Sequence, residues 1–133
     1  MGSDLDGVVV VIPAYNEGAV IEDVVREVRT QFSRVVCVDD ASTDETAELA
    51  HRAGATVLRH PVNRGQGAAL QTGMEWALRD ASTLAIVSFD ADGQHRPTDA
   101  AAMANLLLAS GVDVVLGSRF SGSTVAMPRM KRL

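Results

Sequence analysis

Apolar and polar positions alternate along the chain between two periods. Val8–Ile12 is an unbroken β-branched run closed by Pro13, the pattern of a strand covered on both faces of a parallel sheet. Ile21, Val24, Val25 and Val28 follow at helical spacing. Val35–Val38 reads as a second buried strand. Ser42-x-x-Glu45 reads as a capping box that opens a helix running to about Ala53, and Gly54 stops it. Thr56–Arg59 predicts a short third strand. After a loop over His60–Gly67, a helix is expected across Ala68–Arg79, with Leu70, Met74, Ala77 and Leu78 on one face. Leu84–Phe89 predicts the fourth strand. Pro97 suits the first position of a helix whose Met103, Leu106 and Leu107 pack inward. Gly111 ends that helix, Val112–Leu116 predicts a fifth strand, and beyond Phe120 the pattern fades into Gly, Ser and Thr.

This strict β-α alternation, with no repeat and no internal linker, implies an α/β domain: a mainly parallel sheet with helices on both faces. In such sheets ligands bind beyond the carboxyl ends of the strands. The polar motifs lie at those ends: Pro13–Glu17, Asp39–Asp44, Asp90–His95 and Ser118-Arg119. They are expected to converge on one edge.

Composition narrows the function. The chain has 133 residues, 47% hydrophobic and 22% charged, which suits one ordinary globular domain. A net charge of −5 argues against broad nucleic-acid binding. From Arg119 onward there are four basic residues (Arg119, Arg129, Lys131, Arg132) and no acids, a tail suited either to phosphates or an anionic membrane surface, or simply to solvent. The single Cys37 lies in an apolar run and is expected to pack as a small hydrophobe, which fits a reducing compartment. With no leader-like pattern at the start and no run of about 20 apolar residues, a cytoplasmic location is expected.

Three motif classes can be set aside. The turn after the first strand is Pro-Ala-Tyr-Asn-Glu rather than glycine-rich, and no Walker lysine follows. Gly65 and Gly67 carry neither fingerprint, and read either as a flexible turn or as close packing beside a ligand. Asp90-Ala91-Asp92 fails as an EF-hand, because Gly93 and Ala101 stand at the wrong offsets. Alone, this Asp pair would be a turn. At the end of a buried strand it supplies hard oxygen ligands suited to Mg²⁺ or Mn²⁺, with Gln94 continuing the spacing; His95 reads first as a surface or capping residue. Asp39-Asp40 is either turn chemistry or a carboxylate pair accepting hydrogen bonds from a base or ribose. Asp44 is read as turn chemistry alone.

Together, "VVIPAYNEGAVIEDVV", "VVCVDDASTDETAELA", "NRGQGAALQTGMEWAL", "FDADGQHRPTDA" and "VVLGSRF" resemble a family-2 glycosyltransferase of the GT-A fold, in the family's order and over nearly the whole chain. The likeness is greatest to the polyprenyl-phosphate sugar transferases of the dolichyl-phosphate mannose synthase type. The resemblance implies that Pro13, Ala14, Tyr15 and Glu17 line a nucleotide site, and that Asp40, with Asp39 beside it, contacts base and ribose. It also implies that Asp90 and Ala91 bind the nucleotide, and that Asp90, Asp92 and Gln94 hold Mg²⁺ or Mn²⁺ against the donor diphosphate. Asp92 and Arg119 would be catalytic, Arg119 through the acceptor phosphate. The donor would be a GDP- or UDP-linked sugar, the acceptor a polyprenyl phosphate. Contact with the inner face of a membrane and self-association are further expectations. Family members continue past "GSRF", so this sequence is expected to form the donor-binding part of a longer domain.

Overall fold

The computed structural model describes residues 5–92, 96–110, 114–117 and 124–127. Four parallel strands form the main sheet: β1 (Val8–Ala14), β2 (Arg34–Asp39), β3 (Thr56–Arg59) and β4 (Ala85–Ser88), in the order β3-β2-β1-β4. Helices α1 (Ile21–Arg29), α2 (Thr46–Arg52), α3 (Gln66–Leu78) and α4 (Pro97–Ser110) alternate with them. The order explains the layering. β1 to β2 to β3 steps one way across the sheet, and β3 to β4 steps back past β1. Right-handed crossovers in opposite directions place their helices on opposite faces. Accordingly Val8, Val10, Ile12 and Cys37 pack with α1, α2 and α4, whereas Val9, Val11, Val36 and Val38 pack with α3. Both faces of β1 are covered, so its apolar run has no polar alternation. Each fully buried Val or Ile contributes on the order of 1.5–3 kcal/mol.

Several local expectations are corrected. No capping box forms: α2 begins at Thr46, Glu45 makes no side-chain cap bond, and Ser42 Oγ instead accepts the Asn16 amide at 2.8 Å. Asp44 does more than turn the chain, because it also accepts the Gly18 amide at 3.0 Å. On α3 the expected Ala77 is buried and Leu70 packs partly buried against the same cluster, but the fully covered stripe continues through Ala69 and Gly73, and Leu78 is exposed. The large side chains would hold the helix off the sheet. At Gly73 a Cβ would overlap Val11 Cγ1 and stand 3.2 Å from Val38 Cγ2, so only glycine permits this approach. On α4, Ala100, Ala101 and Ala104 face the core and Leu106 is exposed; the side chain of Leu107 lies outside the described residues. Leu84 precedes β4 and is exposed.

After α4, β5 (Val114–Gly117) pairs with an unexpected strand, β6 (Thr124–Met127). They form an antiparallel pair in the register Val114↔Met127 to Gly117↔Thr124. Among the described residues, no helix is long and apolar enough to cross a membrane. Cys37 is fully buried in the middle of β2, between Ile12 and Val57, and burial pushes its thiol up to about 12.

Candidate functional site

The carboxyl ends of β1, β2 and β4 open onto a cleft of about 210 Å³. β1 and the turn after it supply Pro13, Ala14, Tyr15 and Glu17; β2 supplies Asp40; β4 supplies Asp90, Ala91 and Asp92. Two further lining residues, Gln66 and Ala69, come from the first turn of α3. The cleft lies where strand order reverses about β1, the switch point at which such sheets bind ligands.

The wall is built by loops tied to one another. The turn after β1 is fastened to the one after β2 at four places. The Asn16 amide donates to Ser42 Oγ (2.8 Å), the Glu17 amide to Thr46 Oγ1 (2.9 Å) and the Gly18 amide to Asp44 Oδ2 (3.0 Å); the Thr43 amide donates back to Asn16 Oδ1 (2.8 Å). Asn16 and Ala41 both have left-handed backbones, with φ of 52° and 65°. The bonds on either side offset the cost of that conformation at Ala41, on the order of 1–3 kcal/mol. Asp44 also accepts the Thr46 hydroxyl and amide, and these bonds hold its carboxyl below the usual value against the opposing effect of burial.

Asp40 joins a third loop. It is buried, and it accepts His60 Nδ1–H at 2.8 Å, the Arg64 amide at 2.8 Å and the Gly65 amide at 2.7 Å. Burial pushes its carboxyl up, but the three bonds outweigh it and leave it below the usual value. Gly65 has φ 95°, the left-handed region glycine favours, which turns its amide inward. Asp39, expected in the nucleotide site, is fully buried and does not line the cleft. Its Oδ1 accepts the Ser42 amide at 3.1 Å. Arg59 Nε approaches Oδ2 at 3.2 Å but not along an N–H, so this oxygen has no aligned donor among the described residues.

Gln66 Nε2 donates to Asp90 Oδ1 at 3.2 Å, tying α3 to the end of β4. Burial, then the charges of Asp92 and Asp44, raise the Glu17 carboxyl above its ordinary value. The cleft is acidic: among the described residues Glu17, Asp40, Asp90 and Asp92 line it, and no Lys or Arg does. Among the described residues, no group of three or more His, Cys, Asp or Glu could hold a metal unaided. Two carboxylates facing a cleft do suit a hard cation that completes its shell with water or ligand oxygens. Gln94 and Arg119 lie outside the described residues. Sequence reasoning missed Gln66, Ala69 and the tie from His60 to Asp40; the signal for the last was a histidine directly after β3, beside Asp40 across the parallel pair.

Residues 9–132 match the sequence profile described as Glycosyl transferase family 2. The chain belongs to glycosyl transferase family 2. An uncharacterized protein of Methanocaldococcus jannaschii is 39% identical over 131 residues, which are 96% of this chain and 54% of that relative. The UDP-N-acetylglucosamine–dolichyl-phosphate N-acetylglucosaminyltransferase of Methanococcus voltae is 31% identical over 127 residues, covering 82% of this chain and 50% of that enzyme. Among solved structures, glucosyl-3-phosphoglycerate synthase from Mycobacterium tuberculosis, in complex with Mn²⁺, UDP-glucose and phosphoglyceric acid, matches with a TM-score of 0.63 and 29% identity; the match covers 76% of this chain and 39% of that one. The chain spans about half the length of these curated relatives. The parallel sheet with helices on both faces is the GT-A arrangement expected of the family.

Proposed function

We propose that this family 2 domain binds a nucleoside-diphosphate sugar together with Mg²⁺ or Mn²⁺, as the donor site of an inverting glycosyltransferase. One observation carries the reading: among the described residues, four carboxylates and no basic side chain line the cleft. A diphosphate would be repelled from such a surface unless a cation came with it. Asp90 and Asp92 would hold that cation, with Gln94 assisting, and it would neutralise the charge that grows on the departing diphosphate. Pro13, Ala14 and Tyr15 would form the wall against the nucleotide. Asp40 would accept a hydrogen bond from base or ribose, with Asp39 behind it.

The acceptor in this reading is a polyprenyl phosphate, which the name of the Methanococcus voltae relative supports. A phosphate is already anionic at pH 7 and attacks the anomeric carbon without a strong general base. Arg119 would bind that phosphate, and the basic residues that follow it would favour an anionic membrane surface.

Calorimetric titration with UDP, GDP and their sugar conjugates, with and without Mn²⁺, tests the site. Binding is expected only with the metal, and Asp92→Asn should weaken it at least tenfold, as for loss of a ligand to the ion. Metal-independent binding, or none to any nucleotide, refutes the proposal. Transfer of labelled sugar to a short polyprenyl phosphate tests the acceptor.

A further inference from the structure

The buried side chains behind the cleft support a more specific statement, which rests on the nucleotide-binding reading of the cleft. β2 and β3 are parallel with Asp39 opposite Arg59, so Asp40 and His60 leave the strand ends side by side. The His60 amide donates to the Asp39 carbonyl at 2.9 Å, anchoring the residue. Its ring is buried and held at both nitrogens, Nδ1 2.8 Å from Asp40 Oδ1 and Nε2 2.8 Å from Thr72 Oγ1 on α3. A carboxylate only accepts, so Nδ1 carries the proton; in the neutral ring Nε2 then accepts the Thr72 hydroxyl.

The consequence lies in how Asp40 is filled. A carboxylate offers about four lone-pair positions. Oδ1 takes His60 and the Arg64 amide, and Oδ2 takes the Gly65 amide. Among the described residues one position is left, on Oδ2. We propose that His60 is a positioning residue for the nucleotide site: it saturates Oδ1 and fixes the Asp40 carboxylate so that a single oxygen accepts a single donor from the bound nucleotide. Hydroxyl, imidazole and carboxylate follow one another here as in acyl-transfer triads. Yet neither Thr72 nor His60 lines the cleft, so the arrangement orients a carboxylate and activates no nucleophile.

Two substitutions separate the ring's two bonds. His60→Asn keeps a donor where Nδ1 stood, and His60→Gln keeps a polar group where Nε2 stood. With UDP and GDP titrated in the presence of Mn²⁺, His60→Gln and His60→Ala should raise the nucleotide Kd roughly tenfold, the effect of losing one bond to a charged acceptor. His60→Asn should stay within about threefold of the native value. Thr72→Val loosens the ring without touching Asp40; it should lower the urea midpoint while leaving Kd within about threefold. Equal affinity of the Asn and Gln variants, or a Thr72→Val affinity loss matching its stability loss, overturns the role. If His60→Ala does not fold, the Asn and Gln pair decides. A native protein that binds neither nucleotide refutes the site reading and this inference together; one that binds, with His60→Ala binding equally well, refutes His60 alone.

Discussion

Asp40→Asn should be among the most damaging single-atom changes in this chain. Three N–H donors converge on the carboxylate: His60 Nδ1, the Arg64 amide and the Gly65 amide. An asparagine has one acceptor oxygen. Placing it at Oδ1 preserves the bonds from His60 and Arg64 but turns an NH₂ toward the Gly65 amide. The reverse placement sets two donors against the NH₂, which is worse. The better rotamer therefore loses one charge-assisted bond, about 1.5–3 kcal/mol, and leaves buried donors without a partner, about 1–3 kcal/mol more. The other two bonds weaken because the acceptor is now neutral. A total of roughly 3–5 kcal/mol follows. In urea, with an m-value of about 2 kcal/mol/M, the midpoint should fall by roughly 1.5–2.5 M with m unchanged. A fall of less than about 0.5 M would show that the three bonds do not hold the loop as described.

Gly73→Ala should destabilise the chain even though alanine is the better helix former. The new Cβ collides with Val11, costing about 1–3 kcal/mol, against a helix-propensity gain of up to about 1 kcal/mol. A loss of about 1–2 kcal/mol should lower Tm by roughly 3–8 °C, and an unchanged or raised Tm would mean that α3 can lift off the sheet at no cost. Acid should remove the stability that Asp40 provides. Its folded carboxyl lies below the unfolded value near 3.8, so the contribution is complete above that value and disappears as pH falls through the folded one. Urea midpoints at pH 7, 5 and 3 should show this loss in the native chain and a flatter profile in Asp40→Asn; parallel profiles would contradict it.

The strands were legible because a parallel sheet demands it: Val8–Ile12 and Val35–Val38 are buried on both faces and can be little else. The helix faces were less so. On α3, hydrophobicity pointed to Leu70, Met74, Ala77 and Leu78; Ala77 is buried and Leu70 packs at the edge of the core, but close contact with the sheet selects for size, so Ala69 and Gly73 join Ala77 and Leu78 is exposed. Ser42-x-x-Glu45 had the form of a cap, yet Ser42 serves Asn16, a partner 26 residues away that no local pattern reveals. The cleft residues from β1, β2 and β4 could be named because strand ends converge in this topology. His60 and Gln66 could not: their roles depend on which loops touch, and that follows from the strand order β3-β2-β1-β4 rather than from spacing along the chain.

The lone Cys37 makes the chain its own gauge of opening. It is the sole thiol in the sequence, sits at the centre of β2 and is held protonated by burial at any ordinary pH. A thiol reagent can meet it only after the sheet has parted, since the thiolate is the reacting form. The ratio of its modification rate to that of an exposed cysteine then reads directly as the population of the parted sheet. Loops at the cleft can loosen or exchange partners without registering on that gauge. A nucleotide whose site is lost when the sheet parts should slow modification by a factor of one plus the ratio of free nucleotide concentration to Kd, whereas an unchanged rate at saturation would mean that the site outlasts the parting.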